Sequence, residues 1–170
     1  MKPEIKYGII TGLLVCLWVM IEYFLGFHTT KFETGKYSGY FATIIPIMAI
    51  YLLLKQKREA DNNTLTLKKG LRAGTLMSLI TAIITTIFFF IYNHYINPNW
   101  MEFAMEWEKN NMLKQGMSEV AIDAQLSKFN SMNTDFAQIV QGLIGTTFMG
   151  IIISFIIALI LRRNAESPIN

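Results

Sequence analysis

Four stretches of the chain stay apolar for the length of a membrane crossing. Gly8 to Phe27 carries a single charged residue, Glu22, while Tyr37 to Leu54, Ala73 to Tyr92 and Phe136 to Leu161 carry none. At a rise of about 1.5 Å per residue each stretch spans a hydrocarbon core of roughly 30 Å. The pattern predicts transmembrane helices over about 7–27, 37–54, 72–95 and 136–161. Some 40 residues separate the last two, too many for a simple turn. Within them Trp100, Phe103 and Trp107 recur at helical spacing while Glu102, Glu106 and Lys109 point elsewhere, and Val120, Ile122, Leu126 and Phe129 form a second apolar stripe. Asn99 and Glu102 stand at capping-box spacing, Gly116 is a helix stop and Ser118 a helix start. An amphipathic helical hairpin over about 98–132 is therefore predicted, with its tryptophan stripe at the membrane interface, on the bundle mouth or against a partner.

The expected fold class is an all-α polytopic membrane protein: one membrane domain, residues 1–170, with four transmembrane helices and a hairpin between the third and fourth. Composition agrees, since 52% of residues are apolar and they are gathered into blocks. The first block is longer than a signal-peptide core and no A-x-A-like site follows, so it is read as a retained anchor. The net charge of +3 is explained by topology. Lys2, Lys6, Lys55, Lys57, Arg58, Lys68, Lys69, Arg72, Arg162 and Arg163 flank one set of helix ends, whereas the opposite connections pair Lys31, Lys36, Lys109, Lys114 and Lys128 with seven acids. Both termini are expected in the cytoplasm. This distribution removes the case for nucleic-acid binding; "KQKR" serves as a stop-transfer flank ahead of any role on anionic headgroups. Cys16, the one cysteine, is expected as a small packing residue.

The stretches "EYFLGFHTT", "YSGYFATIIPIMAIYLLLKQKRE", "LTLKKGLRAGTLMSLI" and "YINPNW" together resemble domain of unknown function 4199, a family of bacterial integral membrane proteins found mainly in Bacteroidota. The resemblance covers nearly the whole chain. It implies a small multi-pass inner-membrane protein, and it carries no catalytic residues.

Helices one and three each begin with a basic residue and G-x-x-x-G, namely Gly8 and Gly12, then Gly70 and Gly74. Such spacing lets helices approach closely, and more weakly suggests two parallel hairpins. Gly142 and Gly145 are the corresponding packing glycines of helix four. Glu22 falls on the glycine face of helix one together with Thr11, Val15 and Gly26, so it is expected to look into the bundle, roughly 7 to 8 Å below the end of its helix. A carboxyl out of water needs partners. The depth-matched groups are Gln138 and Gln141, the Ala42 carbonyl that Pro46 leaves without its helical donor, and the hydroxyls of Thr85 and Tyr92. With no Lys or Arg at that depth, a neutral carboxylic acid donating a hydrogen bond is expected. Such a layer fixes helix register, or it binds a proton or a small polar solute; the structural role is placed first.

Ligand pairs at metal spacing are absent, His28 and His94 included, and no cofactor is expected. There is also no G-x-S-x-G, H-E-x-x-H, P-loop or paired buried acids. The sequence thus points to a non-enzymatic structural or accessory component of a membrane complex. Its partners would be the bilayer and either another membrane protein or a second copy. The alternative is a small transporter or channel subunit using the Glu22 layer.

Overall fold

The computed structural model describes residues 1–162; Arg163, counted above among the basic flanks, lies outside them. Six α-helices follow in order: α1 Pro3–Phe24, α2 Phe32–Ala60, α3 Leu67–Ile91, α4 Trp100–Lys114, α5 Glu119–Met132 and α6 Asp135–Leu161. A wider π-wound turn, Tyr92–Ile96, continues α3. α1, α2, α3 with its extension, and α6 are each long and apolar enough to cross a membrane. The architecture is that of an all-α, polytopic membrane protein. α2 runs well beyond the expected 37–54 because hydropathy marks only the part of a helix that meets lipid, whereas the hydrogen-bond ladder continues into the charged flank.

Side chains are sorted as lipid demands. Leu13, Leu17, Phe41, Ile44, Ile87, Phe148 and Ile160 are exposed on the outside of the bundle, while Thr11, Ser78, Thr81, Thr85 and Ser154 are buried within it. Without water to drive large apolar side chains together, small residues and hydroxyls make the closest helix contacts. α3 packs along both α1 and α6, and α2 closes the ring by touching α1 and α6.

The α3/α6 seam is antiparallel and steps by four residues. Gly70 lies against Ala158, Gly74 against Ser154, Gly150 against Ser78 and Gly142 against Thr86. α1 and α3 run parallel in the same stepped fashion: Gly8 seats the Cβ of Ile80, Gly12 seats that of Ile84, and the Thr81 hydroxyl donates to the Gly8 carbonyl at 3.1 Å. Gly145 departs from its expected packing role. Nothing lies within 4 Å of a Cβ built there, because the four-residue register selects Gly142 and Gly150 and turns Gly145 toward α2.

At the end holding the N-terminus and the α2–α3 link, Ile50, Leu53, Leu54, Leu65, Ala73, Met77, Ile157, Ala158 and Leu161 form one buried apolar cluster. Ion pairs Lys57–Glu4 and Lys69–Asp61 flank it. The opposite end carries the α4–α5 hairpin. Gly116, at φ +73°, turns the chain, and the Ser118 hydroxyl accepts from the Ala121 N–H at 3.4 Å to start α5. The expected capping box at Asn99 does not form. Its backbone is turn-like, φ −88° and ψ 6°, and its side chain makes no cap bond, since a capping side chain reaches the first turn only from an extended residue.

Trp100, Phe103 and Trp107 are half-buried. Trp107 packs on Phe32 with ring centroids 5.6 Å apart, and the Lys36 ammonium lies 5.4 Å over its ring, a cation–π contact. The tryptophan stripe thus docks α4 on the start of α2. In α5, Ile122 is buried but Val120 is 81% exposed, so Val120 leaves the face that sequence spacing assigned to it.

Candidate functional site

The site forms where α1 ends. The helix stops at Phe24, three residues before the predicted limit, because Gly26 takes φ +78°. Its N–H bonds the Tyr23 carbonyl and the Phe27 N–H bonds the Glu22 carbonyl, each at 2.9 Å. This paired closure is a Schellman motif, and its left-handed position favours glycine. Gly26 therefore belongs to the turn and not to the helix face on which spacing placed it. The turn folds the following residues back over the last turn of α1, which returns His28 to Glu22.

Glu22 is buried, 4% exposed, and three side chains surround its carboxyl. The indole N–H of Trp18, one turn earlier, donates to Oε1 at 2.8 Å. The Ser38 hydroxyl from α2 donates to the same oxygen at 2.6 Å. His28 Nε2 stands 3.4 Å from Oε2. On its other side His28 Nδ1 is 2.7 Å from the Tyr92 hydroxyl, to which Asn97 Nδ2 donates at 3.2 Å. Asn97 thereby occupies an acceptor position on Tyr92, leaving the phenolic proton for His28 Nδ1 and a proton on Nε2 facing Glu22. In this assignment every polar group of the network has a partner. The π turn makes it possible: the Asn97 N–H closes on the Tyr92 carbonyl at 2.8 Å, and this extra residue per turn turns Tyr92 and Asn97 inward together.

The result is a relay, Asn97 to Tyr92 to His28 to Glu22, joining the α3 extension to α1. The Ser38 hydroxyl has a second acceptor, the Gly35 carbonyl at 3.0 Å. It donates to Glu22 when the carboxyl is ionised, and by turning to Gly35 it can accept a proton from the carboxylic acid. Burial holds His28 below the ordinary imidazole value; the Glu22 carboxylate acts in the opposite sense and offsets this only in part. The turn also brings a histidine, in place of a Lys or Arg, within 3.4 Å of the carboxyl as an N–H donor.

A cavity of about 500 Å³ opens beside this relay. Glu22, Thr85, Tyr92, Gln138, Gln141 and Ala42 all line it, so the whole anticipated polar layer surrounds one space. Its hydrogen bonds differ from those expected. Gln138 accepts from Asn93 Nδ2 at 2.6 Å and donates to the Asn133 carbonyl at 2.8 Å. Gln141 donates to the Met132 carbonyl at 2.9 Å, and the Thr85 hydroxyl bonds its own helix at the Thr81 and Ala82 carbonyls. Of the anticipated partners only Tyr92 reaches Glu22, through His28. The glutamines line the same cavity as Glu22 but bond elsewhere, because the hairpin end supplies nearer partners. Trp18, His28, Ser38 and Asn97 were missed; of these only Trp18, four residues before Glu22, was readable from spacing.

A second cavity of about 360 Å³ continues from the first toward the middle of the bundle, between α2 and α6. The two share Val15, Ala42, Thr85, Phe89, Gln141 and Thr146 as walls. Among the described residues, no group of three or more His, Cys, Asp or Glu side chains gathers in a way that could hold a metal ion.

Comparison with known proteins gives a family. The model described as Protein of unknown function (DUF4199) matches residues 6–163. No curated protein and no solved structure matches the chain.

Proposed function

We propose that this chain, which belongs to the family described as Protein of unknown function (DUF4199), is an accessory protein of the bacterial inner membrane that binds a small molecule in the cavity beside Glu22. Both termini lie in the cytoplasm and the hairpin faces outward, as the basic flanks favour. No enzymatic turnover is assigned to it. The carrying observation is that the cavity begins among polar groups at the hairpin end, while the buried cluster of Ile50, Leu53, Leu54, Met77, Ile157 and Leu161 packs the other end. A ligand can enter and be held, whereas passage across the membrane would require that cluster to part. This favours binding and presentation to a membrane partner over conduction. The outward hairpin, with Val120 exposed, offers that partner a surface.

Thiol labelling in spheroplasts tests this on a Cys16→Ser background. With a small membrane-impermeant reagent added outside, Asn110→Cys and Gln141→Cys should react, while Ala60→Cys and Leu53→Cys should not. Reaction at Ala60 with Asn110 protected would reverse the orientation. Reaction at Leu53 from the same side as Gln141 would reveal a continuous path and favour the transport alternative.

A further inference from the structure

The joined cavities change character with depth. Near the hairpin the walls are Glu22, His28, Asn93, His94, Asp135 and Gln138. Deeper down Pro46, Met77, Met149 and Ile153 stand among the small and hydroxyl residues Gly145, Gly150, Thr43, Ser78, Thr81 and Thr146, and the Thr43 and Thr81 hydroxyls donate to helix carbonyls. From Gln141 to Ile153 the crevice follows α6 for about 18 Å, close to the depth of one leaflet, half of a hydrocarbon core of roughly 30 Å. It also has a side opening. Gly39 and Gly145, on α2 and α6, are both exposed and have no atom within 4 Å of a Cβ position, so the two helices, joined lower down where Leu54 and Ala158 share the apolar cluster, leave open space at this level through which the crevice can meet lipid.

Charge restricts the head. Two carboxylates, two histidines and several amides line the polar part, and no Lys or Arg does. The His94–Asp135 pair at 3.2 Å and the Glu22–His28 pair leave carbonyl and carboxylate oxygens as the prevailing partners. An anionic head would meet like charge without a cation to receive it, whereas hydroxyl, amide or amine groups find acceptors. Trp100, at the start of α4, also lines the vestibule.

From these features we infer that the crevice holds one membrane amphiphile. Its single apolar chain lies between α2 and α6, and its uncharged or cationic hydrogen-bonding head sits in the polar vestibule at Glu22, Asn93 and Gln138. This names the ligand class for the binding function proposed above and rests on it. Entry is lateral, from the leaflet on the hairpin side, and the chain replaces lipid contacts along the crevice walls.

Native mass spectrometry of the purified full chain tests the inference, with three probes titrated separately: monooleoylglycerol, oleylamine and the anionic lysophosphatidylglycerol. The expected result is one retained monooleoylglycerol or oleylamine per chain, with lysophosphatidylglycerol at least tenfold weaker. Gly145→Phe fills the crevice from α6 and Gly39→Phe fills it from α2, each into open space. Each should weaken the favoured probes at least tenfold, with thermal melting checking that the variants stay folded. Equal uptake by wild type and both blocked variants would mean lipid bound on the outer surface, and tighter binding of the anionic probe would mean the head is misassigned; either overturns the inference. If no probe is retained while Gln141→Cys still reacts with the aqueous reagent, the amphiphile is excluded and the binding function stands. If Gln141→Cys is unreactive, that function falls as well.

Discussion

Replacing Glu22 by Leu should lower the thermal stability of the purified protein substantially, and replacing it by Gln should do so only slightly. The difference follows from what each neighbour has left. Trp18 has no second acceptor for its indole N–H, and His28 loses the oxygen opposite Nε2, whereas Ser38 can turn to the Gly35 carbonyl. Two half-buried donors without partners, at about 1–3 kcal/mol each for full desolvation, set an upper range on the order of 2–6 kcal/mol for Glu22→Leu. Gln keeps an oxygen for Trp18 and Ser38. Its amide meets His28 only if the imidazole moves its proton to Nδ1, which then faces a Tyr92 oxygen already taken by Asn97, so about 1 kcal/mol is expected from that one disturbed bond. Melting curves in lipid nanodiscs measure both. A Leu variant as stable as wild type would show that the network does not hold the helices together. A Gln variant that is stable but no longer supports the protein's cellular role would assign the proton, and not the hydrogen bonds, to function.

The second large effect is expected at Gly74. A methyl group there would lie 1.8 Å from the Ser154 hydroxyl and 2.5 Å from its Cβ. The hydroxyl can rotate away but the Cβ is fixed to the backbone, so the two helices must move apart along their closest seam. Overpacking of this kind costs about 1–3 kcal/mol, and the seam leaves little room to relax. Gly74→Ala should therefore destabilise clearly, and Ser154→Gly added to it should recover most of the loss, apart from about 0.5–1 kcal/mol for the new glycine. Gly145→Ala is the matched control, since open space surrounds that position. Melting of the single variants and the pair forms a double-mutant cycle. Independent, additive effects of Gly74→Ala and Ser154→Gly would contradict the stepped register of α3 and α6.

These two sites also show how far the sequence alone carries. Membrane crossings are written in one dimension as length and hydropathy, and the small residues of α3 announce a packing face, so four crossings and the glycine contacts at Gly8, Gly12, Gly70 and Gly74 could be read directly. Gly145 could not, because its fate depends on the rotational setting of α6, and Gly142 fits the same local pattern. The members of the polar layer were legible, in that they line one cavity. Their bonding was not, since it hangs on two backbone irregularities, the Schellman turn at Gly26 and the π turn at Tyr92–Ile96. Extending the helix through Phe27 put Gly26 on a face and sent His28 outward. The turn instead brings His28 back, and with it an N–H donor that a count of Lys and Arg could not find. Ser38 enters from the next helix and had no local signal.

The central claim is the polar-headed crevice between α2 and α6, closed at the end that carries the N-terminus. The most direct measurement is a side-chain-resolution density map of the wild-type protein reconstituted in bilayer nanodiscs. The expected map keeps α2 and α6 apart at Gly39 and Gly145, shows Glu22 ringed by Trp18, His28 and Ser38, and contains elongated density from the Gln138 level toward Ile153. A map with α2 closed onto Gly145 and the space beside Glu22 filled by protein side chains would contradict the account.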